Sequence, residues 1–369
     1  MARHLKIKTM AGAVALLLAL ASVLAWAQDE TAPPAAEDTA AAPAAEEAAP
    51  AEPAAASEVP ADGTAAEGAA EEVSTAPAQP KPAEKLPNAA SAVTLDVTYT
   101  GESYVAVGER GHILLSADGK TWTQSDSPVR ATLTGVFFVD ASTGWAVGHD
   151  AAILNTTDGG KSWALQNWAP ELEKPLLDLY FFDASRGIAV GAYGLYLATA
   201  DGGKSWTTVA NEVTAEEWHF NSIIRLGDGS MLIAGEAGGL AHSKDEAATW
   251  VRLESPYEGT FFGALPRGDK GAMLFGLRGN VFVADAAGAA TAASWRQLKT
   301  DTVQSFLGGT TMPDGSVLLV GINGIIAKGD SNSLALAQNP AATSLSAVVP
   351  AAGGGALAVG EKGGQILTP

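Results

Sequence analysis

Short runs of apolar residues, separated by turns rich in glycine and aspartate, recur through the last three quarters of the chain. Residues 94–369 contain seven copies of one pattern, in which two apolar residues lead into a glycine. The copies are Ala106-Val107-Gly108, Ala146-Val147-Gly148, Ala189-Val190-Gly191, Ile233-Ala234-Gly235, Leu274-Phe275-Gly276, Leu319-Val320-Gly321 and Ala358-Val359-Gly360. Successive glycines are 40, 43, 44, 41, 45 and 39 residues apart. A repeat of this period, filled with short β runs and glycine turns, predicts an all-β, seven-bladed propeller.

Each repeat predicts four strands. In the second repeat these are Leu133–Val139, Trp145–Gly148, Ala152–Thr156 and a short strand near Ala164–Asn167. The seventh repeat reaches only its third strand, and an unpaired edge would expose backbone groups. We therefore expect the segment around Leu86–Val93 to close the ring as the last strand of the last blade.

Four of the repeats carry variants of the Asp-box pattern, (Ser/Thr)-x-Asp-x-Gly-x-(Ser/Thr)-Trp. Thr156–Trp163 and Thr199–Trp206 fit it, Ser116–Trp122 is one residue short, and Ser243–Trp250 has Ala247 at the glycine position. The aspartates are expected to accept hydrogen bonds from their own hairpins, and the tryptophans to cover hydrophobic surface beside the turn. The residues given this structural role are Asp118, Trp122, Asp158, Trp163, Asp201, Trp206, Asp245 and Trp250.

The first 27 residues have the layout of a secretory signal peptide. Basic residues at positions 3, 6 and 8 precede the apolar run Met10–Ala25, and Ala25-Trp26-Ala27 forms a small-x-small cleavage pattern. The protein is therefore expected to be exported, to the periplasm or, in a phototroph, the thylakoid lumen. An uncleaved signal anchor that holds it at the membrane is the alternative. The chain has no cysteine, which excludes a disulfide scaffold, thiolate metal sites and a lipidated cysteine.

An alanine-rich, acidic segment follows the signal. Residues 28–89 contain 23 alanines, 10 of the 19 prolines and 13 acids, against only Lys81 and Lys85 as bases. Such a composition cannot bury enough apolar surface to offset its ordering entropy. We therefore predict a disordered Ala/Pro/Glu-rich linker over 28–83 and the propeller over 84–369. The linker is interpreted as a semi-extended spacer, with a partner-binding segment as the alternative.

Charge narrows the classes of partner and cofactor. The whole chain has 41 acids and 22 bases, which argues against nucleic acid because phosphate binding needs a cationic surface. Only five histidines are present, and no His-x-x-x-His or Asp-x-Asp-x-Asp arrangement suggests a metal site. No metal and no small-molecule cofactor is expected.

One face of the predicted propeller emerges as a candidate binding surface. The two residues after each repeat glycine occupy equivalent turns, so they should form a ring on the face where the blade connections also emerge. Mixed charges with exposed aromatic side chains are typical of protein-binding surfaces. For Trp168 and Trp218 the alternative is packing between blades. The candidate partner-binding residues are Glu109, Arg110, Arg130, His149, Asp150, Trp168, Tyr193, Trp218, Glu236, Tyr257, Arg278 and Glu361.

The Asp-boxes, together with the Ala-Val-Gly repeats within Gly144–Ile153 and Gly187–Gly194, resemble the photosynthesis system II assembly factor family, which are seven-bladed propellers related to BNR-repeat proteins. The resemblance covers essentially the whole chain after the linker. It implies a non-enzymatic factor that helps to assemble or stabilise photosystem II reaction-centre precursors. The expected partner is a membrane-associated protein complex, bound by a monomer. A role in assembling another envelope complex is the alternative.

BNR repeats also occur in sialidases and other glycosidases, so catalysis has to be considered. A sialidase-like site needs clustered arginines, a tyrosine nucleophile with a supporting glutamate, and an acid/base aspartate. Arginines are present at positions 110, 186, 225, 252 and 278, but no Arg-Ile-Pro segment precedes the first repeat. Tyr193 and Tyr257 are the possible nucleophiles, and no Tyr–Glu pair stands out. We expect no enzyme activity, with a carbohydrate-active BNR protein, either hydrolase or lectin, as the alternative.

Overall fold

The computed structural model describes residues 79–289 and 291–367. The predicted signal peptide and nearly all of the predicted linker lie outside the described residues. The described chain is all-β and forms seven antiparallel sheets around a ring, which confirms the predicted seven-bladed propeller. In this part of the chain, none of the helical turns has the length and apolar character needed to cross a bilayer.

The strands follow one another blade by blade. Blade 1 is β1 (Thr94–Tyr99), β2 (Tyr104–Gly108), β3 (Ile113–Ser116) and β4 (Thr123–Gln124). Blade 2 is β5 (Leu133–Phe138), β6 (Gly144–Gly148), β7 (Ile153–Thr156) and β8 (Ala164–Asn167). Blade 3 is β9 (Leu176–Phe181), β10 (Gly187–Gly191), β11 (Tyr196–Thr199) and β12 (Thr207–Thr208). Blade 4 is β13 (Phe220–Arg225), β14 (Met231–Gly235), β15 (Leu240–Ser243) and β16 (Val251–Arg252).

Blade 5 is β17 (Phe261–Arg267), β18 (Gly271–Gly276), β19 (Val281–Ala284) and β20 (Arg296–Leu298). Blade 6 is β21 (Phe306–Thr311), β22 (Val317–Gly321), β23 (Ile325–Gly329) and β24 (Leu334–Gln338). Blade 7 is β25 (Leu345–Pro350), β26 (Ala356–Gly360) and β27 (Gly363–Leu367). The short 3-10 turns are Ala89–Ser91, Glu109–Gly111, His149–Ala151, Pro170–Leu172, Ala192–Gly194, Thr214–Glu216, Glu236–Gly238, Leu277–Gly279, Ala287–Ala289, Ala292–Ser294 and Ile322–Gly324.

Hydrophobic cores fill the junctions between neighbouring blades. The first strands of consecutive blades lie side by side around the centre, and β25 lies against β1 to close the ring. The second strands are buried along their whole length, because alternate side chains enter the two neighbouring junctions. In β2, for example, Val105 and Val107 pack against blade 2, whereas Ala106 packs against blade 7. This two-sided burial explains why these strands read as continuous apolar runs.

The repeat glycines are required by a close approach of two backbone segments. After each glycine, the next backbone N–H donates to a carbonyl that leads into the first strand of the blade, as His149 donates to Thr132 at 2.9 Å. A Cβ on Gly148 would stand 2.1 Å from that same Thr132 oxygen. The other six repeat glycines are in equivalent contact, at 2.0 to 2.2 Å. Each repeat glycine therefore lies where the end of the second strand packs against the entry segment of its blade, meaning the residues directly before the first strand, with no room for a side chain.

Closure of the ring differs from the sequence-based expectation. Within the described residues the sheet of blade 7 has three strands, and the segment before β1 forms the 3-10 turn Ala89–Ser91 instead of a fourth strand. The prediction that residues 86–93 complete this blade was therefore wrong. The segment instead covers the junction of blades 7 and 1, where Leu86 and Ala89 join a core with Trp122 and Ile366. Its side chains fill a gap between sheets, and within the described residues its backbone makes no hydrogen bond to β27.

Candidate protein-binding face

The propeller presents two different faces. The turn face is defined here by the 3-10 turns after the repeat glycines, together with the connections between blades. Hydrogen bonds hold these segments together, such as those from Ala169 N–H to the Asp150 carbonyl at 2.9 Å and from Gly194 N–H to the Trp218 carbonyl at 2.7 Å. The Asp-box face carries the Asp-box loops and the hairpins between first and second strands, joined for example by Gly159 N–H and the Ser142 carbonyl at 2.9 Å.

The turn face holds a ring of residues in left-handed backbone conformation. In six of the seven blades the second residue after the repeat glycine has a positive φ and is not glycine. These residues are Arg110 (56°), Asp150 (59°), Tyr193 (52°), Ala237 (48°), Arg278 (56°) and Asn323 (53°). Such a conformation costs a side-chain-bearing residue about 1 kcal/mol or more, and it is least compatible with a bulky side chain. Tyr193 is thus the member of the ring whose placement most needs an explanation.

Tyr193 is exposed at the centre of a polar cluster on blades 3 and 4. Its side chain is 48% exposed. The ring meets the imidazole of His219 edge to face, with centroids 4.6 Å apart. The Glu236 carboxylate lies 3.6 Å from His219 Nδ1 and also accepts the His219 backbone N–H at 3.0 Å. Lys174 Nζ donates to the Tyr193 carbonyl at 2.9 Å. An amphipathic ring beside a cation, a carboxylate and an imidazole is suited to peptide recognition.

The glutamates of the ring have a structural task as well. Glu109 accepts a hydrogen bond from the Val93 backbone N–H at 3.2 Å, and Glu361 accepts one from Ser344 at 3.2 Å. Together with Glu236, they tie the entry segments of blades 1, 7 and 4 to the turns they pack on. Removing any of these carboxylates would therefore disturb the fold locally as well as the surface.

The predicted aromatic surface is smaller than the sequence indicated. Trp218 is only 9% exposed and packs in the junction of blades 3 and 4. Its indole occupies the space that a side chain at position 239 would need, and that position is a glycine. The Arg252 guanidinium lies over the indole, 4.5 Å from a ring centroid. Trp168 packs against the core between blades 1 and 2, and Tyr257 stacks on Phe282. Of the two alternatives for these tryptophans, the structure shows packing between blades.

The remaining candidates are spread around the ring. Arg130 pairs with Glu84 at 2.7 Å. His149 is half-buried, and loss of water lowers its pKa, while burial raises the pKa of neighbouring Asp150. Arg110 and Arg278 are exposed on blades 1 and 5. The structure therefore brings Tyr193 and Glu236 together through His219, but it does not bring the other candidates into one compact site.

His219 and Lys174 are the members of this cluster that are absent from the candidate residues, and His219 is the one that contacts both Tyr193 and Glu236. A signal for it was present, because it lies directly after Trp218 in a blade connection on the turn face. Its importance depends on contacts with Tyr193 and Glu236, which come from two different blades. No pattern within a single repeat encodes that contact.

On the Asp-box face, the four aspartates shape their own loops. In the loop of blade 3, Asp201 accepts hydrogen bonds from the Ser205 hydroxyl at 2.7 Å and the Ser205 N–H at 2.9 Å, and Gly203 has a φ of 84°. These bonds, the hydroxyl's first, lower the pKa of Asp201 to about 2. The loops of Asp118, Asp158 and Asp245 have closely similar hydrogen bonds. Of the Asp-box tryptophans, Trp163 and Trp250 are buried, and Trp206 packs half-buried against the core between blades 2 and 3.

The arginines do not gather in one place. Arg186 and Arg225 both meet Glu246 on the Asp-box face, at 2.8 and 3.8 Å. Arg252 pairs with Glu216 at the rim of the turn face. Within the described residues, no group of three or more histidines, aspartates or glutamates is placed to hold a metal ion. This distribution gives no support to a carboxylate-binding arginine cluster of the sialidase kind.

The fold and this surface define a class of protein, a seven-bladed Asp-box propeller with a polar and aromatic face. The family profile of the photosynthesis system II assembly factor YCF48 matches residues 114–173 and 166–326, which together exceed half of the chain. The chain belongs to this family. A search of curated proteins found no significant match.

Solved structures show the same fold at low sequence identity. A YCF48 structure bound to a D1 peptide is 17% identical, with a TM-score of 0.59, and the alignment covers 80% of this chain and all of that one. YCF48 from Cyanidioschyzon merolae is also 17% identical, with a TM-score of 0.61 and coverage of 78% and 98%. A streptogramin B lyase, an enzyme, has a TM-score of 0.62 at 9% identity and coverage of 74% and 93%. The fold is thus shared by binding proteins and enzymes, and function has to be argued from the surface.

Proposed function

We propose that this protein is an exported, non-catalytic assembly factor that binds a segment of a protein partner on its turn face. The partner is a subunit of a membrane complex, with photosystem II as the complex in a phototroph. Family membership supports an assembly role, and the related structure that holds a D1 peptide supports a peptide-like segment as the ligand.

The observation that carries the proposal is the strained and exposed position of Tyr193. A tyrosine held in left-handed backbone and half exposed to water has a steric cost that a glycine at the same position would avoid. It does offer a rigid aromatic contact surface, with His219 and Glu236 fixed beside it. Tyrosines in such surroundings are frequent hot spots of protein interfaces.

The binding test uses a synthetic D1 peptide as the probe and the full chain as the receptor. Fluorescence anisotropy should show binding. Tyr193→Ala should weaken the affinity at least about tenfold, which corresponds to a loss of about 1.4 kcal/mol of binding free energy. Tyr99→Ala is the matched control, because Tyr99 is also exposed, at 36%, but lies on the Asp-box face. Equal affinities for wild type and Tyr193→Ala would contradict the proposed site.

Export and processing are tested separately. Mass spectrometry of the protein purified from its source should find a mature N-terminus at Gln28, which follows the predicted cleavage pattern. Recovery of the intact N-terminus in the membrane fraction would instead support the anchored alternative.

A further inference from the structure

Strand β24, the outermost strand of blade 6, has an unusually accessible edge. It contains five residues, whereas the outer strands β4, β12 and β16 contain two, β20 three and β8 four. Its pairing with β23 is continuous, with no bulge. Proteins usually protect sheet edges with short strands, charges, prolines or bulges. None of these devices is present within β24, and the sequence has no charged residue from Ser331 through Gly360.

The hydrogen-bond register shows which backbone groups face outward. Asp330 N–H donates to the Ser333 carbonyl, and Asn339 N–H donates to the Gly324 carbonyl, so the ladder is fixed at both ends of β24. Because hydrogen-bonded pairs alternate in an antiparallel ladder, Ala335 and Ala337 direct their backbone groups to β23. Leu334, Leu336 and Gln338 direct theirs to the open edge. In the described part of the chain, these outward groups have no hydrogen-bond partner.

A groove runs beside this edge, between the outer strands of blades 5 and 6. It has a volume of about 840 Å³ and includes Leu336, Leu298 and Val303 among its lining. Leu336 is 37% exposed and Val303 is 81% exposed, which makes them two of the few exposed large hydrophobic residues of the described chain.

The charged groups of the groove are mainly basic. Lys299 pairs with Asp301 at 3.0 Å, whereas Arg278 is exposed and makes no ion pair within the described residues. The groove therefore combines the apolar side chains of Leu298, Val303 and Leu336 with a guanidinium that has no ion-pair partner in the described part of the chain.

From these observations we infer that β24 binds an extended segment of the protein partner as an added strand. The segment pairs its backbone with Leu334, Leu336 and Gln338. It places an apolar side chain between Leu336 and Val303, and an acidic side chain at Arg278. Strand addition of this kind takes its affinity from main-chain hydrogen bonds and its specificity from alternate side chains. The inference rests on the proposed function only in that the occupant is taken to be the protein partner.

Two other features make β24 the preferred edge. The open edge of blade 7 is partly covered, because Gly364 of β27 packs on the Trp122 indole and Gly363 on the Ala90 carbonyl. A second copy of this chain could pair through β24, but it would bring a strand without any acid to the free guanidinium of Arg278. Charge complementarity therefore favours an acidic segment of a different protein.

The experiment uses the full chain and a labelled synthetic peptide of alternating valine and glutamate, long enough to pair with all of β24. Anisotropy should show binding. N-methylation of alternate peptide amides, or replacement of glutamate by lysine, should weaken it at least about tenfold, because the first removes backbone donors and the second places like charge at Arg278. Leu336→Pro should have a similar effect, since it removes an outward N–H and leaves the ladder with β23 intact.

Matched variants separate pairing from other effects. Leu336→Lys should abolish binding, whereas Val251→Lys, at an exposed position of the two-residue strand β16, should not change it. Circular dichroism and melting curves must show that the variants fold. Equal binding of the valine–glutamate and valine–lysine peptides, or no binding at all, would overturn the inference. So would concentration-dependent dimers in light scattering that Leu336→Lys abolishes, because they would assign the edge to a second copy.

Failure of this inference and failure of the proposed function give different results. Tyr193→Ala should leave binding of the valine–glutamate peptide unchanged, since Tyr193 is on blade 3 and β24 is on blade 6. Binding at β24 with no effect of Tyr193 on the D1 peptide would refute only the proposed site on the turn face.

Discussion

The carboxylate of Asp178 joins blade 3 to blade 4, because its Oδ2 accepts a hydrogen bond from the backbone N–H of Ile223 at 2.8 Å. Asp96 makes the same contact from blade 1 to the Val136 N–H of blade 2, also at 2.8 Å. Both side chains lie on first strands at the centre of the ring. Burial raises the pKa of Asp96 to about 6 and that of Asp178 to about 7, and for Asp178 the charge of Asp96 adds to the shift.

These two pKa values predict that the propeller loses stability as pH rises through the weakly acidic range. Between about pH 4 and 7 the folded state holds more protons than the unfolded state, in which the ordinary pKa is 3.8. The free energy of unfolding should therefore fall with rising pH, by up to about 1.4 kcal/mol per pH unit for each group. Urea unfolding from pH 4 to 8 should show a flatter profile for Asp178→Asn than for wild type. Parallel profiles would contradict the assignment, and exposed Asp301→Asn serves as the control.

The contact between each repeat glycine and its entry segment predicts a large loss of stability on adding one methyl group. In Gly191→Ala the new Cβ would stand 2.1 Å from the Pro175 carbonyl oxygen, and backbone would have to move. We expect a loss of about 3 kcal/mol or more. Gly353→Ala is the matched control, because no atom lies within 4 Å of its Cβ position, and its melting temperature should hardly change. A similar small effect at both positions would refute the steric explanation.

The degraded Asp-box of blade 4 predicts a stabilising substitution. Ala247 occupies the glycine position of the motif and has a φ of 68°. Ala247→Gly removes the steric cost of this conformation and should raise the free energy of unfolding by about 1 kcal/mol. The next residue, Ala248, does not have a positive φ, so Ala248→Gly should lower stability instead. Chemical denaturation should therefore show changes of opposite sign in the free energy of unfolding of the two variants. A loss of stability in both variants would contradict this explanation.

The segment before β1 is predicted to stabilise closure without forming a strand. Leu86 packs at the junction of blades 7 and 1, near Trp122 and Ile366, and its backbone N–H donates to Gln124 Oε1 at 3.0 Å. Leu86→Ala should lower the free energy of unfolding by about 1 to 2 kcal/mol, which is less than for a fully buried leucine because Leu86 is only half-buried. Leu172→Ala, at a position that is 42% exposed, should change it much less. Hydrogen exchange should show the added opening in β26 and β27.

The sequence was most informative where each repeat acts alone. In the second repeat the predicted strands Leu133–Val139 and Ala164–Asn167 differ from β5 and β8 by at most one residue. Glycine spacing and Asp-box hairpins are local signals, so they transfer directly to strands and turns. The number of blades follows from the number of repeats.

Contacts between repeats could not be predicted in this way. The sequence alone does not show that Trp218 is buried, because its indole occupies the space left by the missing side chain of Gly239. The sequence alone also does not distinguish Tyr193 from other turn residues. Its positive φ and its contact with His219 are visible only in the structure. The bridging aspartates at 96 and 178 are equivalent to Gly135 and Ser222 in the neighbouring blades, so no repeat rule identifies them. Each of these features depends on residues 21 to 45 positions apart in the chain, which come together where neighbouring blades meet.

The way in which the ring closes also bears on how such a protein can be enlarged or shortened. Each of the seven sheets is built from strands that are consecutive in the chain, and in the described residues no sheet combines strands from both ends. The unit of structure therefore coincides with a continuous stretch of coding sequence. A duplication or deletion whose boundaries fall in two blade connections would add or remove one complete sheet and leave every other sheet intact. Circular permutation at a blade connection should be tolerated for the same reason.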